Sequence, residues 1–179
     1  IPGIKHHILK MEDELDDVNT NTIASKQLDK SAEAPSFQNI PSLLKWRANT
    51  LPDKVALQIK RKEGWVRYTY GDFYDLSRRI AGSLWERGLR KGDHVILFSE
   101  NQPEWGIAYF AASQLGLTVI PNDQQTSSRE VYALADFTSA KFVLTTQKLF
   151  DRLEKFVTNP TENPPQCLNI NNFCQTWTM

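Results

Sequence analysis

The feature that most constrains this chain is an alternation that begins at His94. Five residues, HVILF (94–98), form a continuous apolar run, and they lead straight into the polar loop SENQPEW. A run of that length suits a strand covered on both faces, as in a parallel sheet. Pro103 and Glu104 open a helix; Pro fits the first turn and Glu favours the positive end of the macrodipole. Its expected inner face is Ile107, Phe110, Ala111 and Leu115, and Gly116 ends it. LTVI (117–120) then reads as a second strand, and Ser127 with Glu130 as a capping box ahead of another helix. KFVLTT (141–146) is a third strand and QKLFDRLEKFV (147–157) a final helix. Strand and helix alternating at this pace define an α/β fold, a βαβαβ Rossmann-like unit with right-handed crossovers.

Upstream, SFQNIPSLLKWRANTLPDK reads as a helix opened by Pro41 and ended before Pro52. VALQIK and WVRYTY alternate in polarity on either side of RKEG, which predicts a β-hairpin. Thr69 and Asp72 have capping-box spacing, and the helix they open carries Phe73, Leu76, Ile80 and Leu84 as its inner stripe. Gly88 followed by Leu89 is the Schellman pattern for its end. The organisation expected is a lead-in over 1–36, an α/β domain over 37–157, and a loop with a truncated end over 158–179. The lead-in lacks aromatic residues, yet Ile4, Ile8, Met11, Leu15 and Val18 recur at helical spacing and predict a short amphipathic helix. The chain opens on Ile1 and stops at Met179 just after QTWT, so an incomplete domain is the expectation.

Charge narrows the partners. Lys plus Arg equals Asp plus Glu at 21 each, with no basic stripe, so nucleic acid is not an expected partner. Cys167 and Cys174 fit no zinc-ligand spacing and read as free thiols in a reducing cytosol, although a disulfide between them stays open. There is neither a secretory signal pattern nor an apolar run long enough to span a bilayer, and a cytoplasmic protein is the expectation.

The chemistry is sparse. The eight glycines make neither GxGxxG nor GxxxxGK[ST], and there is no GxSxG or HExxH. His6 and His7 lie beside the N-terminal stripe with no partner ligand at suitable spacing. His94, at the start of a strand, suits a hydrogen-bonded structural role, and Asp93 after Lys91-Gly92 suits a turn. The loop after HVILF is the best site candidate, because ligands of open α/β sheets gather outside the strands' carboxyl ends. Ser99, Glu100, Asn101 and Glu104 can each contact a ligand there. The alternative is that Ser99 and Asn101 cap a helix while Trp105 packs.

Four blocks, in this order, carry a resemblance: LPDKVAL (51–57), TYGDFYDLSRRIAGSLWERGLRKGDHVILF (69–98), ENQPEWGIAYFAASQLGLTVIP (100–121) and EVYALADFTSAKFVLTT (130–146). Together they resemble the N-terminal portion of the AMP-forming adenylating superfamily, which includes acyl-CoA synthetases, luciferases and peptide-synthetase adenylation domains. NQPEWGIAYFA followed by VIP is most similar to long-chain fatty acyl-CoA ligases. The resemblance implies a two-step reaction, from ATP and a carboxylate to an acyl-adenylate, then transfer to the thiol of coenzyme A. It implies ATP, Mg²⁺ and coenzyme A as cofactors of a complete parent, and the rest of the adenylation domain as a partner. A long-chain acid as substrate adds peripheral membrane contact. The family's Ser/Thr-Gly-rich phosphate loop, Tyr/Thr-x-Glu motif, ribose-binding Asp and C-terminal Lys all lie downstream of the matched blocks. No catalytic, cofactor-binding or metal-binding residue is therefore carried over, and the chain alone is expected to be inactive. The alternatives are a non-catalytic binding or scaffold module derived from such an enzyme, and an independent small Rossmann-like enzyme.

Overall fold

The structure, a computed structural model, describes residues 36–155 and 165–175. The chain divides into two units, 1–36 and 37–179. The expected lead-in helix, His6 and His7 lie outside the described residues.

The second unit opens with helix α1 (Ile40–Thr50), whose cap is a capping box in which Asn39 accepts from the Ser42 amide. Strands β1 (Val55–Arg61) and β2 (Gly64–Thr69) form the expected antiparallel hairpin. Its loop is tighter than RKEG implied: Arg61 pairs with Gly64, leaving two residues, and Gly64 takes φ 132°. The Thr69–Asp72 capping box opens α2 (Tyr70–Glu86) as expected. At its end Gly88 adopts φ 90° while the Leu89 amide reaches back to the Leu84 carbonyl at 3.2 Å, the Schellman geometry.

Four strands then build one parallel sheet: β3 (His94–Phe98), β4 (Thr118–Asn122), β5 (Phe142–Thr145) and β6 (Gln166–Asn169), in the order β4-β3-β5-β6. Helices α3 (Pro103–Gln114), α4 (Ser128–Thr138) and α5 (Gln147–Glu154) connect them, and α6 (Ile170–Gln175) follows β6. Alternate residues of β3 and β5 separate two cores. Val95, Leu97, Phe142 and Leu144 pack with α2 and α3, whereas Ile96, Phe98 and Val143 pack with α4 and α5. Both faces of the central strands are covered, which is why HVILF has no polar alternation.

Three expectations are corrected. Residues 166–175 are a strand and a helix rather than a loop: β6 adds to β5 in parallel register, and Ile170 is fully buried. The four-residue strand QCLN has little strand propensity of its own and forms because β5 offers a free edge. Strand β4 runs on to Asn122, past Pro121, which sits where only β3 pairs with it; an edge strand accepts a proline. Finally, α3 buries Ile107, Ala108, Ala111 and Ala112, while Phe110 and Leu115 are only partly covered. The helix is apolar nearly all round and has two faces to satisfy. The alanines permit close packing, and Phe110 packs edge-on against Phe73 of α2 at 4.9 Å.

Candidate functional site

In this strand order the chain leaves β3 toward β4, then returns across β3 to β5 and continues to β6. The reversal makes the carboxyl ends of β3 and β5 a topological switch point, where open α/β sheets hold ligands. A cleft of about 430 Å³ lies there, lined by Arg61, Glu100, Gln102, Thr146, Lys148 and Asn171 among others. A second, of about 390 Å³, lies between the ends of β3 and β4 and includes Asn101, Trp105, Asn122 and Asp123.

The loop residues divide by role. Glu100 faces the 430 Å³ cleft, where its carboxylate accepts from the Thr146 hydroxyl at 2.6 Å and lies 3.9 Å from the exposed Lys148 ammonium. Asn101 is exposed and lines both clefts. Ser99 is buried, donates to the neighbouring Glu100 carbonyl at 2.9 Å and lines the 390 Å³ cleft. Neither Ser99 nor Asn101 caps α3: the cap position is Gln102, which makes no side-chain cap bond. Trp105 stacks on Tyr109 at 5.5 Å, as the packing alternative expected.

Glu104 is the clearest departure. Its side chain is buried, ion-paired with Arg61 at 2.7 Å, and accepts from the Tyr68 hydroxyl at 2.9 Å. It ties the hairpin to the start of α3 instead of facing a ligand. Burying a carboxylate is costly unless it is paired and hydrogen-bonded; Arg61 and Tyr68 supply both at Oε1, while Oε2 has no partner among the described residues. Sequence reasoning missed Arg61, Thr146, Lys148 and Asn171. Thr146 had a signal: it follows β5 as Ser99 follows β3. Asn171 stood in a stretch read as loop, and Arg61 is 43 residues from its partner.

At the opposite end of the sheet the residues are structural, as expected. The His94 Nδ1 lies 2.6 Å from the Thr138 carbonyl, so that nitrogen carries the proton and donates. Asp93 closes the turn before β3. Its carboxylate pairs with Lys141 at 2.8 Å and accepts the Arg90 amide at 2.8 Å. Those bonds, that to Lys141 first, hold its carboxyl below the usual range. A cavity of about 580 Å³ also lies at this end, with Arg87, Tyr132, Ser139 and Pro165 in its lining. It is larger than the two clefts above but sits away from the switch point, and Arg87 and Tyr132 already have partners. Burial and the nearby Cys167 push the Tyr132 hydroxyl well above its ordinary value, and burial raises the Cys167 thiol. Cys167 is free; the Cys174 side chain lies outside the described residues.

The described residues do not fit a nucleotide triphosphate. The glycines with positive φ close the hairpin (Gly64), end α2 and α3 (Gly88, Gly116) or turn into β3 (Gly92), and none lies in a carboxyl-end loop. No group of three or more His, Cys, Asp or Glu side chains among them can hold a metal ion.

Comparison with known proteins identifies the relationship. Residues 44–175 match the model of the AMP-binding enzyme family. The chain is 28% identical over 107 residues to 4-coumarate–CoA ligase 3 of Arabidopsis thaliana, covering 56% of this chain and 19% of that protein. It is 24% identical over 149 residues to crotonobetaine/carnitine–CoA ligase of Citrobacter koseri, covering 77% of this chain and 29% of that protein. The chain thus spans less than a third of the length of either relative. Among solved structures, the N-terminal domain of FACL13 from Mycobacterium tuberculosis superposes with a TM-score of 0.65 at 23% identity, over 77% of this chain and 35% of that one. The o-succinylbenzoate CoA synthetase MenE of Bacillus subtilis, solved with its acyl-adenylate intermediate, gives 0.60 at 22% identity, over 74% and 32%. The strand order, the covered sheet and the family match agree: the chain belongs to the AMP-binding enzyme family, as an N-terminal portion of its fold.

Proposed function

We propose that this chain is the opening α/β layer of an ATP-dependent acid–thiol ligase. In that reading a carboxylate and ATP give an acyl-adenylate and pyrophosphate, and coenzyme A then takes the acyl group. The observation that carries the reading is the family match over 44–175, on a sheet whose switch-point clefts lie at the carboxyl ends of the strands. The relatives' names, coumarate and crotonobetaine/carnitine CoA ligases, and the adenylate-bound MenE, supply the reaction class. The described residues of the second unit contribute walls and loops to the site. The triphosphate cradle, the metal ligands and the cationic donors for the developing charge come from elsewhere in the enzyme.

The substrate is the finer part of the proposal. NQPEWGIAYFA supports a long-chain fatty acid, and the named relatives point to other acids. A long-chain acid brings peripheral membrane contact, because such substrates partition into bilayers. No described helix is long and apolar enough to cross a membrane. The free Cys167 fits a reducing, cytoplasmic setting.

The test is carboxylate-dependent ATP–pyrophosphate exchange. It is run on the 179-residue chain and on the product of its reading frame extended past Met179, with palmitate, 4-coumarate and crotonobetaine. The expected result is no exchange by the chain and palmitate-dependent exchange by the longer product. A preference for 4-coumarate or crotonobetaine corrects the substrate alone. Exchange by the 179-residue chain itself, or a longer product inert with every acid, overturns the reading; the second result would favour a binding module.

A further inference from the structure

Register places Asn122, Phe98 and Thr145 side by side at the last positions of β4, β3 and β5. Neighbours in register share a face of the sheet, and Phe98 faces α4 and α5. Onto this row reaches Arg152 from α5. Its guanidinium lies over the Phe98 ring, 5.0 Å from the centroid, and its Nη2 donates to the Thr126 carbonyl at 2.6 Å.

Three donors in this cluster are spare. The Arg152 Nε, the Asn122 Nδ2 and the Thr145 Oγ1 are buried and have no hydrogen-bond partner among the described residues. Thr145 is wholly buried. The other polar atom of Asn122 is engaged, its Oδ1 accepting from the Thr126 hydroxyl at 2.8 Å. No ion pair involves Arg152 among the described residues. Each unsatisfied buried donor is costly, and Arg152, half-buried, carries one of them on a charged group. The cluster therefore has a positive charge, three N–H or O–H groups without a partner and no carboxylate paired with the guanidinium. Of the three, Asn122 lines the 390 Å³ cleft between the ends of β3 and β4. Asp123, the carboxylate in that lining, is engaged with the Gln125 amide at 2.7 Å.

We propose that Arg152, Asn122 and Thr145 form a binding site for an oxyanion, held on the α4–α5 face of the sheet. The Arg152 Nε supplies a charged donor that suits a carboxylate or phosphate oxygen. The Asn122 amide and Thr145 hydroxyl donate to the remaining oxygens. The inference is independent of the ligase reading, since it uses only donors that the fold leaves unpartnered.

The test is thermal unfolding of the full 179-residue chain against phosphate, acetate and AMP, each at constant ionic strength made up with sodium chloride. The expected result is a saturating rise in Tm with at least one of the three. Response to phosphate and AMP identifies a phosphoryl site, and response to acetate a carboxylate site. Arg152→Met is expected to weaken the apparent affinity at least tenfold. Thr145→Val is expected to raise Tm in chloride alone, by removing an unsatisfied hydroxyl, and to reduce the anion response. If Arg152→Met does not fold, Asn122→Ala and Thr145→Val carry the comparison. A rise that does not saturate, or that is equal in wild type and in these variants, is the general effect of excluded salts and overturns the proposal.

Discussion

The two ends of the parallel sheet are built on opposite plans. At the amino end, polar groups find local or cross-element partners: Asp93 with Lys141 and Arg90, His94 with the Thr138 carbonyl, Gly92 with the Gly116 carbonyl. At the carboxyl end lie Gln102 Nε2, Glu104 Oε2, Asn122 Nδ2, Thr145 Oγ1 and Arg152 Nε, which are the buried side-chain atoms left without a partner among the described residues. The polar groups named at the amino end are partnered, and the unsatisfied ones lie at the other. That division is what a binding layer of an open α/β sheet requires, and it separates residues to be tested by stability from residues to be tested by binding.

Breaking the comparison begins with the core that joins the ends. Phe98 is fully buried between the faces of α4 and α5, so Phe98→Ala is expected to cost about 3–5 kcal/mol in chemical denaturation. A loss below about 1 kcal/mol would contradict the packing described. Next is the hairpin tie. Losing one partner of a fully buried ion pair costs about 3–5 kcal/mol. Arg61 retains 36% side-chain exposure, so Glu104→Ala is expected to cost about 2 kcal/mol, with amide exchange rising first in β1 and β2. Uniform loosening of the whole chain would mean that Glu104 does not tie the hairpin.

Smaller effects belong to the amino end. Ser139 ends α4 at φ 52°, with the Ala140 amide bonded to the Ala135 carbonyl at 2.9 Å, a Schellman end without glycine. Ser139→Gly is expected to stabilise by about 1 kcal/mol. Destabilisation would mean that the hydroxyl makes a contact worth more than the strain. The smallest effect is the acid response of Asp93. Its folded carboxyl titrates below the unfolded one, so its stabilising contribution is present above the unfolded value, about 3.9. That contribution is lost as pH falls through the folded value. Asp93→Asn should lower stability at neutral pH, where the contribution is present, and flatten the fall below about pH 4. An unchanged acid limb would dissociate Asp93 from Lys141.

Much of the fold was legible because its signals are local. Thr69 with Asp72, Ser127 with Glu130, Gly88 with Leu89 and the unbroken HVILF each encode a terminus or a covered strand within six residues. The β6–α6 segment was not, because QCLN becomes a strand only when β5 supplies the ladder. Ser139 was not, because serine does not advertise a left-handed residue as glycine does. Within the candidate site, Glu100 and Asn101 were legible from their place after a strand. Glu104 was misread because a carboxylate at a helix start has a sufficient local explanation, while its real partners, Arg61 and Tyr68, are 43 and 36 residues away. The Asn122–Phe98–Thr145 row is a product of register between strands distant in sequence, which no local pattern reports.

The most direct measurement of the division between the two ends pairs Asn101→Ala with Lys141→Ala in the longer reading-frame product, and records both Tm and acid-dependent ATP–pyrophosphate exchange. The expected result is that Asn101→Ala lowers exchange with Tm unchanged, whereas Lys141→Ala lowers Tm with exchange per folded molecule unchanged. The opposite pattern, with exchange lost at Lys141 and retained at Asn101, would contradict the assignment of binding to the carboxyl end.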